Sequence, residues 1–350
     1  MRHIFRVGIT RDFVKPDGTF SFDNMGLNLL NNAIGVEFEL LPEDARTLRP
    51  DHVQDYDGLL LLGRRVTADT LHGLNRLAIV ARFGVGYDTV DVQACTQNGV
   101  LLTITPDGVR RPLASSIMAF ILALSHKLLI KDRLTRSGRW IERIDAMGMG
   151  LTGRALGVVG LGNVGREVFA LAQPFGMRHL AYDPYVRTAE AAGVGVELTS
   201  LETLLQTADF VCICCALTPE TRHLINAERL ALMKKSAYII NAARGPIIDQ
   251  DALTDALRTR RIRGAGLDVF EEEPIDKNHP ILTLDNVIVT PHSICWTDEC
   301  FQSMGRDACQ SILEVTKGRI PRSVVNREVL DHPHLQEKLR RYAARTTESQ

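Results

Sequence analysis

Three side chains with complementary chemistry each follow a short apolar run: Arg244, Glu273 and His292. Histidine exchanges protons most readily near neutrality, and a carboxylate on its far nitrogen would fix its tautomer. An arginine can clamp a carboxylate and polarise a neighbouring carbonyl. Together they suit a 2-oxo acid, whose reduction needs a proton at the carbonyl oxygen and a hydride at its carbon. A place for a hydride carrier is also written in the chain. Gly160, Gly162 and Gly165 fill a GxGxxG pattern between an apolar run and a helical segment, the loop that brings backbone N–H groups and a helix N-terminus to a pyrophosphate. Asp183 ends the next apolar run, where it can accept the ribose hydroxyls and repel a 2′-phosphate. That favours NAD over NADP, although Arg187 lies four residues on. Singly, each residue has a plainer reading: a turn histidine, a surface arginine, a solvated acidic run at 271–273. Their common placement after strand-like runs is what raises them.

Such residues converge only if the strands that carry them end at one edge, as in a parallel sheet. Strand-like runs rich in Val, Ile and Leu lie at 5–10, 58–63, 79–85 and 100–104, and again at 155–160, 179–182, 210–216, 236–241, 264–269 and 287–290. Helix-period segments alternate with them, the pattern of parallel sheets covered on both faces. The fold class is therefore α/β, with two doubly wound sheets. Residues 112–140 are expected to form one long helix with Pro112 in its first turn, followed by a glycine-rich linker at 147–153. A turn at 290–292 precedes another helical segment near 297–317. Residues 1–112 with 295–330 are thus expected to form one domain, into which 113–294 is inserted. The charged tail, 331–350, is expected to be a frayed helix or unstructured.

The chain has 350 residues, 45% of them apolar and 24% charged, and a formal charge of −1. That balance argues against nucleic acid as the main partner. No apolar run approaches the ~20 residues of a membrane helix, and the N-terminus does not resemble a signal peptide. Seven cysteines, an odd number without a repeated CxxC, suit a reducing compartment. The expectation is a cytoplasmic protein without a metal site, and Cys212–Cys215 reads as small buried thiols on a strand.

Several motifs in order resemble the D-isomer-specific 2-hydroxyacid dehydrogenases: ArgPheGlyValGlyTyrAspThrValAsp at 82–91, the glycine loop at 160–165, LeuThrProGluThrArgHisLeuIleAsn at 217–226, AsnAlaAlaArgGlyProIleIleAsp at 241–249, AlaGlyLeuAspValPhe from 265 and ThrProHis at 290–292. The resemblance implies a Rossmann NAD-binding domain inserted in a flavodoxin-like substrate domain, and commonly a homodimer. It places the carboxylate-binding arginine on Arg244, the histidine-orienting glutamate on Glu273 and the acid/base on His292. Asn163, Val164 and Asp183 match cofactor contacts, and Asp268 the acid facing the nicotinamide. The resemblance also implies cofactor contacts at Cys214, Ala216, Thr221, Ala242, Ala243, Arg244 and His292. Val85 and Gly86 match the substrate-carboxylate loop of the other domain. The chain departs from the family at Cys214 and Ala216, where His and Pro are usual, and at Ser115, where a Glu opens the interdomain helix. Trp296 would line the substrate pocket or pack beneath it.

Two basic pairs, Arg64–Arg65 and Arg110–Arg111, are either solvated charges or, through Arg64 and Arg110, selectors of a second anionic or polyhydroxylated group on the substrate. The favoured reading is an NAD-dependent dehydrogenase that interconverts a small 2-oxo acid and its (R)-2-hydroxy acid. A non-catalytic NAD(H)-sensing or corepressor-type protein on the same fold is the alternative, and a dehydrogenase of phosphite or formate is a third reading.

Overall fold

A computed structural model describes residues 4–22 and 25–347. The chain divides into two compact units, Met1–Val109 with Trp296–Gln350, and Arg110–Cys295. In the first, strands β1 (Phe5–Ile9), β2 (Val36–Leu40), β3 (Gly58–Leu61), β4 (Ile79–Arg82) and β5 (Leu101–Thr103) form a parallel sheet in the order β2-β1-β3-β4-β5. This is the flavodoxin-like order. Strands β3, β4 and β5 are almost wholly buried, as apolar runs covered on both faces must be. β2 alternates Val36, Phe38 and Leu40 with the exposed Glu37 and Glu39. It is an edge strand, and its charged residues conceal it among the continuous apolar runs.

The second unit holds seven parallel strands: β6 (Ala155–Val159), β7 (Arg178–Tyr182), β8 (Glu197–Leu198), β9 (Phe210–Ile213), β10 (Tyr238–Asn241), β11 (Gly264–Leu267) and β12 (Val287–Val289). Their order, β12-β11-β10-β9-β6-β7-β8, reverses direction at β6, and there the Rossmann crevice lies. Apolar clusters fill both faces. One packs Ile117, Phe120 and Leu124 over Leu156, Val158 and Ile240; the other packs Leu204, Leu253 and Leu257 against Val211, Ile239 and Ala265. Phe120 needs Gly266 beneath it, since a Cβ there would meet the ring at 2.8 Å.

The helix expected over 112–140 is two. Helix α1 runs Pro106–Ser125 and α2 runs Leu128–Arg136, with Lys127 between them in the left-handed region at φ 53°. Both Pro106 and Pro112 could start a helix, and Pro106 does, with Asp107 in the first turn. Pro112 is interior, and its carbonyl accepts the hydroxyls of Ser115 and Ser116, each at 2.8 Å. Helix α3 (Asn163–Ala172) follows the glycine loop.

The tail is also more ordered than its composition suggests. Pro333–Thr347 forms helix α4, with Leu335, Leu339 and Tyr342 buried along one face. The Tyr342 hydroxyl donates to the fully buried Asp57 at 2.9 Å, where Arg76 and the Arg6 N–H also converge. Lys338 donates to the carbonyls of Leu77 and Gly99. Three apolar positions at helical spacing are enough to dock a helix whose other faces are charged.

Candidate active site

The histidine is held by its neighbours. Asp268, just past β11, is 2% exposed, and one of its oxygens, Oδ1, accepts from the Thr290 hydroxyl at 2.6 Å and from the backbone N–H groups of Ser293 and Ile294 at 2.9 and 3.0 Å. The His292 N–H donates to the Asp268 carbonyl at 2.8 Å, and the residue takes a left-handed φ of 52°. Histidine adopts that region more readily than most residues, though it remains uncommon. The loop after β12 is therefore wound around a single carboxyl group. Burial pushes that carboxyl above its ordinary value, against the opposing pull of Thr290, Ser293, Ile294 and His292.

His292 Nδ1 lies 2.7 Å from Glu273 Oε2. Glu273 Oε1 accepts the Phe270 N–H at 3.0 Å. Burial alone would raise the Glu273 carboxyl, but the bond and charge of His292, the Phe270 N–H and the charge of Arg244 outweigh it, leaving it below its usual range. A carboxylate fixed on Nδ1 accepts the N–H there and leaves Nε2 as the nitrogen that can exchange a proton. Arg244 is half-buried just beyond β10, close enough for its charge to act on Glu273. Asn241 shapes this turn, donating to the Arg244 carbonyl and accepting from the Ala243 N–H. Arg244, Glu273, His292 and Asp268 thus meet at the carboxyl edge of the sheet. Asp268 stands here as the buried anchor of the His292 loop.

The glycine loop lies at the same edge. Gly160 has φ 99°, and a Cβ on it would meet Cys215 N at 2.6 Å; a Cβ on Gly165 would meet the Gly160 carbonyl at 2.3 Å. Gly162 has nothing within 4 Å of such a Cβ. Two of the glycines close the turn and the third leaves its outer face bare. Asp183 closes β7, accepting from the N–H groups of Leu161 and Tyr185, which joins it to the same loop. Arg187 is engaged by Glu190 at 2.5 Å.

Residues 118–293 match the family described as D-isomer specific 2-hydroxyacid dehydrogenase, NAD binding domain. The chain belongs to that family. It is 40% identical to a D-3-phosphoglycerate dehydrogenase of Methanocaldococcus jannaschii over 79% of its own length, and it spans only 53% of that longer protein. It is 38% identical to a glyoxylate reductase of Thermococcus onnurineus, across 87% of this chain and 94% of the relative. Among solved structures, a D-lactate dehydrogenase of Aquifex aeolicus complexed with NAD and lactic acid is similar with a TM-score of 0.80 and 27% identity, over 91% of this chain and 99% of the other. As a family member the chain is an NAD-dependent oxidoreductase acting on CH–OH donors.

The residues of this dehydrogenase fit its cofactor. The bare Gly162 and the first turn of α3, with Asn163 and Val164, leave unblocked backbone N–H groups where a pyrophosphate would lie. Asp183 stands where a ribose would follow. Cys214 and Cys215 beside the loop are half-buried; burial raises both thiols, Cys215 to about 11, so both are neutral near pH 7. Thr221 donates to the Ala216 carbonyl at 2.7 Å and accepts the Thr218 N–H. Ala242 is buried and Ala243 half-buried after β10.

Of the remaining expected residues of the dehydrogenase, Val85, Gly86, Arg64 and Trp296 lie in the first unit and Arg110 in the second. Val85 and Gly86 are half-buried after β4. Gly84 and Thr105 brace that loop, the Thr105 N–H donating to the Gly84 carbonyl and the Gly84 N–H to Thr105 Oγ1, both at 2.9 Å. Arg64 is committed to Asp44 at 2.6 Å and to Asp12 at 3.6 Å. In the second unit, Arg110 and Arg111 share Glu167 at 3.5 and 2.7 Å. Neither Arg64 nor Arg110 stands apart from an acid, as a selector of an extra anion should. Trp296, 48% exposed, packs edge-on against Phe22 and Phe301. Sequence reasoning quoted Asn241 and Thr290 within their motifs but gave neither a supporting role, because the partners they hold come together only in the folded chain.

Proposed function

We propose that the chain interconverts a small 2-oxo acid and its (R)-2-hydroxy acid, with His292 as the acid/base, Glu273 orienting it and Arg244 binding the carboxylate. The pair at 2.7 Å between His292 Nδ1 and Glu273 Oε2 carries the reading. When bound, NADH supplies the hydride. The imidazolium of His292 donates its Nε2 proton to the carbonyl oxygen, and Glu273, accepting from Nδ1–H, balances that charge and keeps Nε2 as the nitrogen that gives and takes the proton. Arg244 fixes the carboxylate, so that the carbonyl oxygen is presented to His292. Glyoxylate and short-chain 2-oxo acids are the favoured substrates, since Arg64 and Arg110 are already matched by acids. The decisive test is His292→Asn, which tolerates the left-handed backbone. It should lower kcat for NADH oxidation by about 10²–10⁴-fold while NADH still binds; wild-type turnover would refute the assignment. A non-catalytic NAD(H) sensor would turn over none of a panel of 2-oxo acids.

The protein acts as a homodimer in the cytoplasm, where its seven free thiols would stay reduced. The support lies on the α2 side of the second unit. There Trp140, Ile141, Ile144 and Met147 are exposed, Ile141 to 88%. Close in sequence, α1 and α2 border a cavity of about 710 Å³ walled by Leu124, Leu129, Ile130, Ile262 and Ile288. Protruding and recessed apolar surface on one unit suits a second copy of the same chain related by a two-fold axis.

A further inference from the structure

Beside the proposed acid/base pair lies a second histidine–glutamate pair that the mechanism does not use. His223 Nε2 is bonded to Glu271 Oε1. The two come from different loops: His223 follows β9, and Glu271 lies two residues before Glu273. The backbone of His223 points the other way. Its N–H donates at 2.8 Å to the carbonyl of Pro246, two residues past Arg244. The segment then continues alongside that loop, with Ile225 N–H on the Ile247 carbonyl and Asp249 N–H on the Ile225 carbonyl. His223 holds φ 50° to make both connections, an uncommon conformation for a side-chain-bearing residue. On the far side, the Glu271 N–H donates to Gln250 Oε1 at 3.0 Å.

From this we infer that His223 is a positioning residue, a strut that fixes the Arg244 loop against the Glu273 loop through Glu271. One residue grips the first loop by its main chain and the second by its side chain, so the spacing of Arg244 and Glu273 depends on it. The inference rests on the reading of Arg244, Glu273 and His292 as the reacting groups.

His223→Asn keeps a residue that accepts the left-handed region and removes the imidazole. It should lower kcat about tenfold, as a displacement of a fraction of an ångström between reacting groups would, with KM for NADH nearly unchanged. Glu271→Ala should do the same, and the double variant should be no worse than either single one, because both break one connection. In a Glu273→Gln background His223→Asn should cost clearly less than in the wild type, since part of its effect passes through Glu273. Unchanged kcat in His223→Asn would overturn the strut, and so would a full additional loss in the Glu273→Gln background. If His292→Asn is inactive while His223→Asn is normal, only the strut fails. Full activity in His292→Asn would retire the catalytic reading and the strut with it.

Discussion

Gly245 is the position at which adding one carbon should separate catalysis from cofactor binding. A Cβ there would lie 1.9 Å from both the carbon and the oxygen of the Phe270 carbonyl and 2.5 Å from Glu271 N, whereas real Cβ contacts essentially never fall below 3.0 Å. The obstacle is backbone, so no rotamer change relieves it. One of the two loops must retreat by about 1.1 Å, the difference between those distances. Glu273 is tied to the displaced residue by the Phe270 N–H, so it moves with the loop, and His292 follows it. Misplacement of a reacting group by about 1 Å can cost 10²-fold in rate. Gly245→Ala should therefore lower kcat about 100-fold, at an overpacking cost of about 1–3 kcal/mol in stability. NADH affinity, read by fluorescence titration, should stay close to wild type, because the Gly160–Gly165 turn is not disturbed. Steady-state rates need normalising to the folded fraction from a thermal melt. A kcat within about threefold of wild type would show that the loops need no close seating. Parallel loss of rate and NADH binding would show that the damage is general.

Glu273 is held below its ordinary value near 4.5, so the stability it contributes is present above that pH and is lost as pH falls through the lowered one. Glu273→Gln should accordingly be less stable than wild type at about pH 7 and equal to it in strong acid; a urea-melt difference that stays constant with pH would contradict this. Burial brings Lys338 from 10.5 down to about 8, so the unfolded chain binds more protons between those values and stability should rise with pH across that window. Thermal melts from pH 7 to 10 should show Lys338→Met flattening the rise, and an identical pH slope in both proteins would refute it. Ile141→Asp with Ile144→Asp should yield a folded monomer in sedimentation experiments; an unchanged dimer mass would place the interface elsewhere.

The parts of this molecule most legible in its sequence are those with strict local requirements. The glycine turn at 160–165 is disclosed by its spacing together with the apolar run before it, the helical segment after it and the acid that follows, and buried parallel strands are rich in Val, Ile and Leu. His292 and Glu273 could be named because each follows such a strand. Elements whose demands are spread out were hidden. β2 looks polar because one face is wet, and α4 looks like a loose tail because only Leu335, Leu339 and Tyr342 are apolar on its docking face. The break at Lys127 depends on a backbone angle that the residue type does not advertise. Asp268 was visible, but the three donors that converge on its Oδ1 come from a loop more than twenty residues away, and only the folded chain brings them there.

The left-handed backbone at His292 also limits where this lineage can drift. Lys, Tyr and Glu are proton carriers too, yet each would lose roughly 1–2 kcal/mol to its own Cβ in that conformation before any chemistry began. Asp and Asn enter it more easily. If His292 is the acid we propose, its replacement by another proton carrier has one inexpensive route, through Asp, and retirement of the chemistry has another, through Asn or Gly. A relative that had given up turnover to report on cofactor levels would be expected to carry Asn or Gly at this position, its loop still wound on the same buried acid.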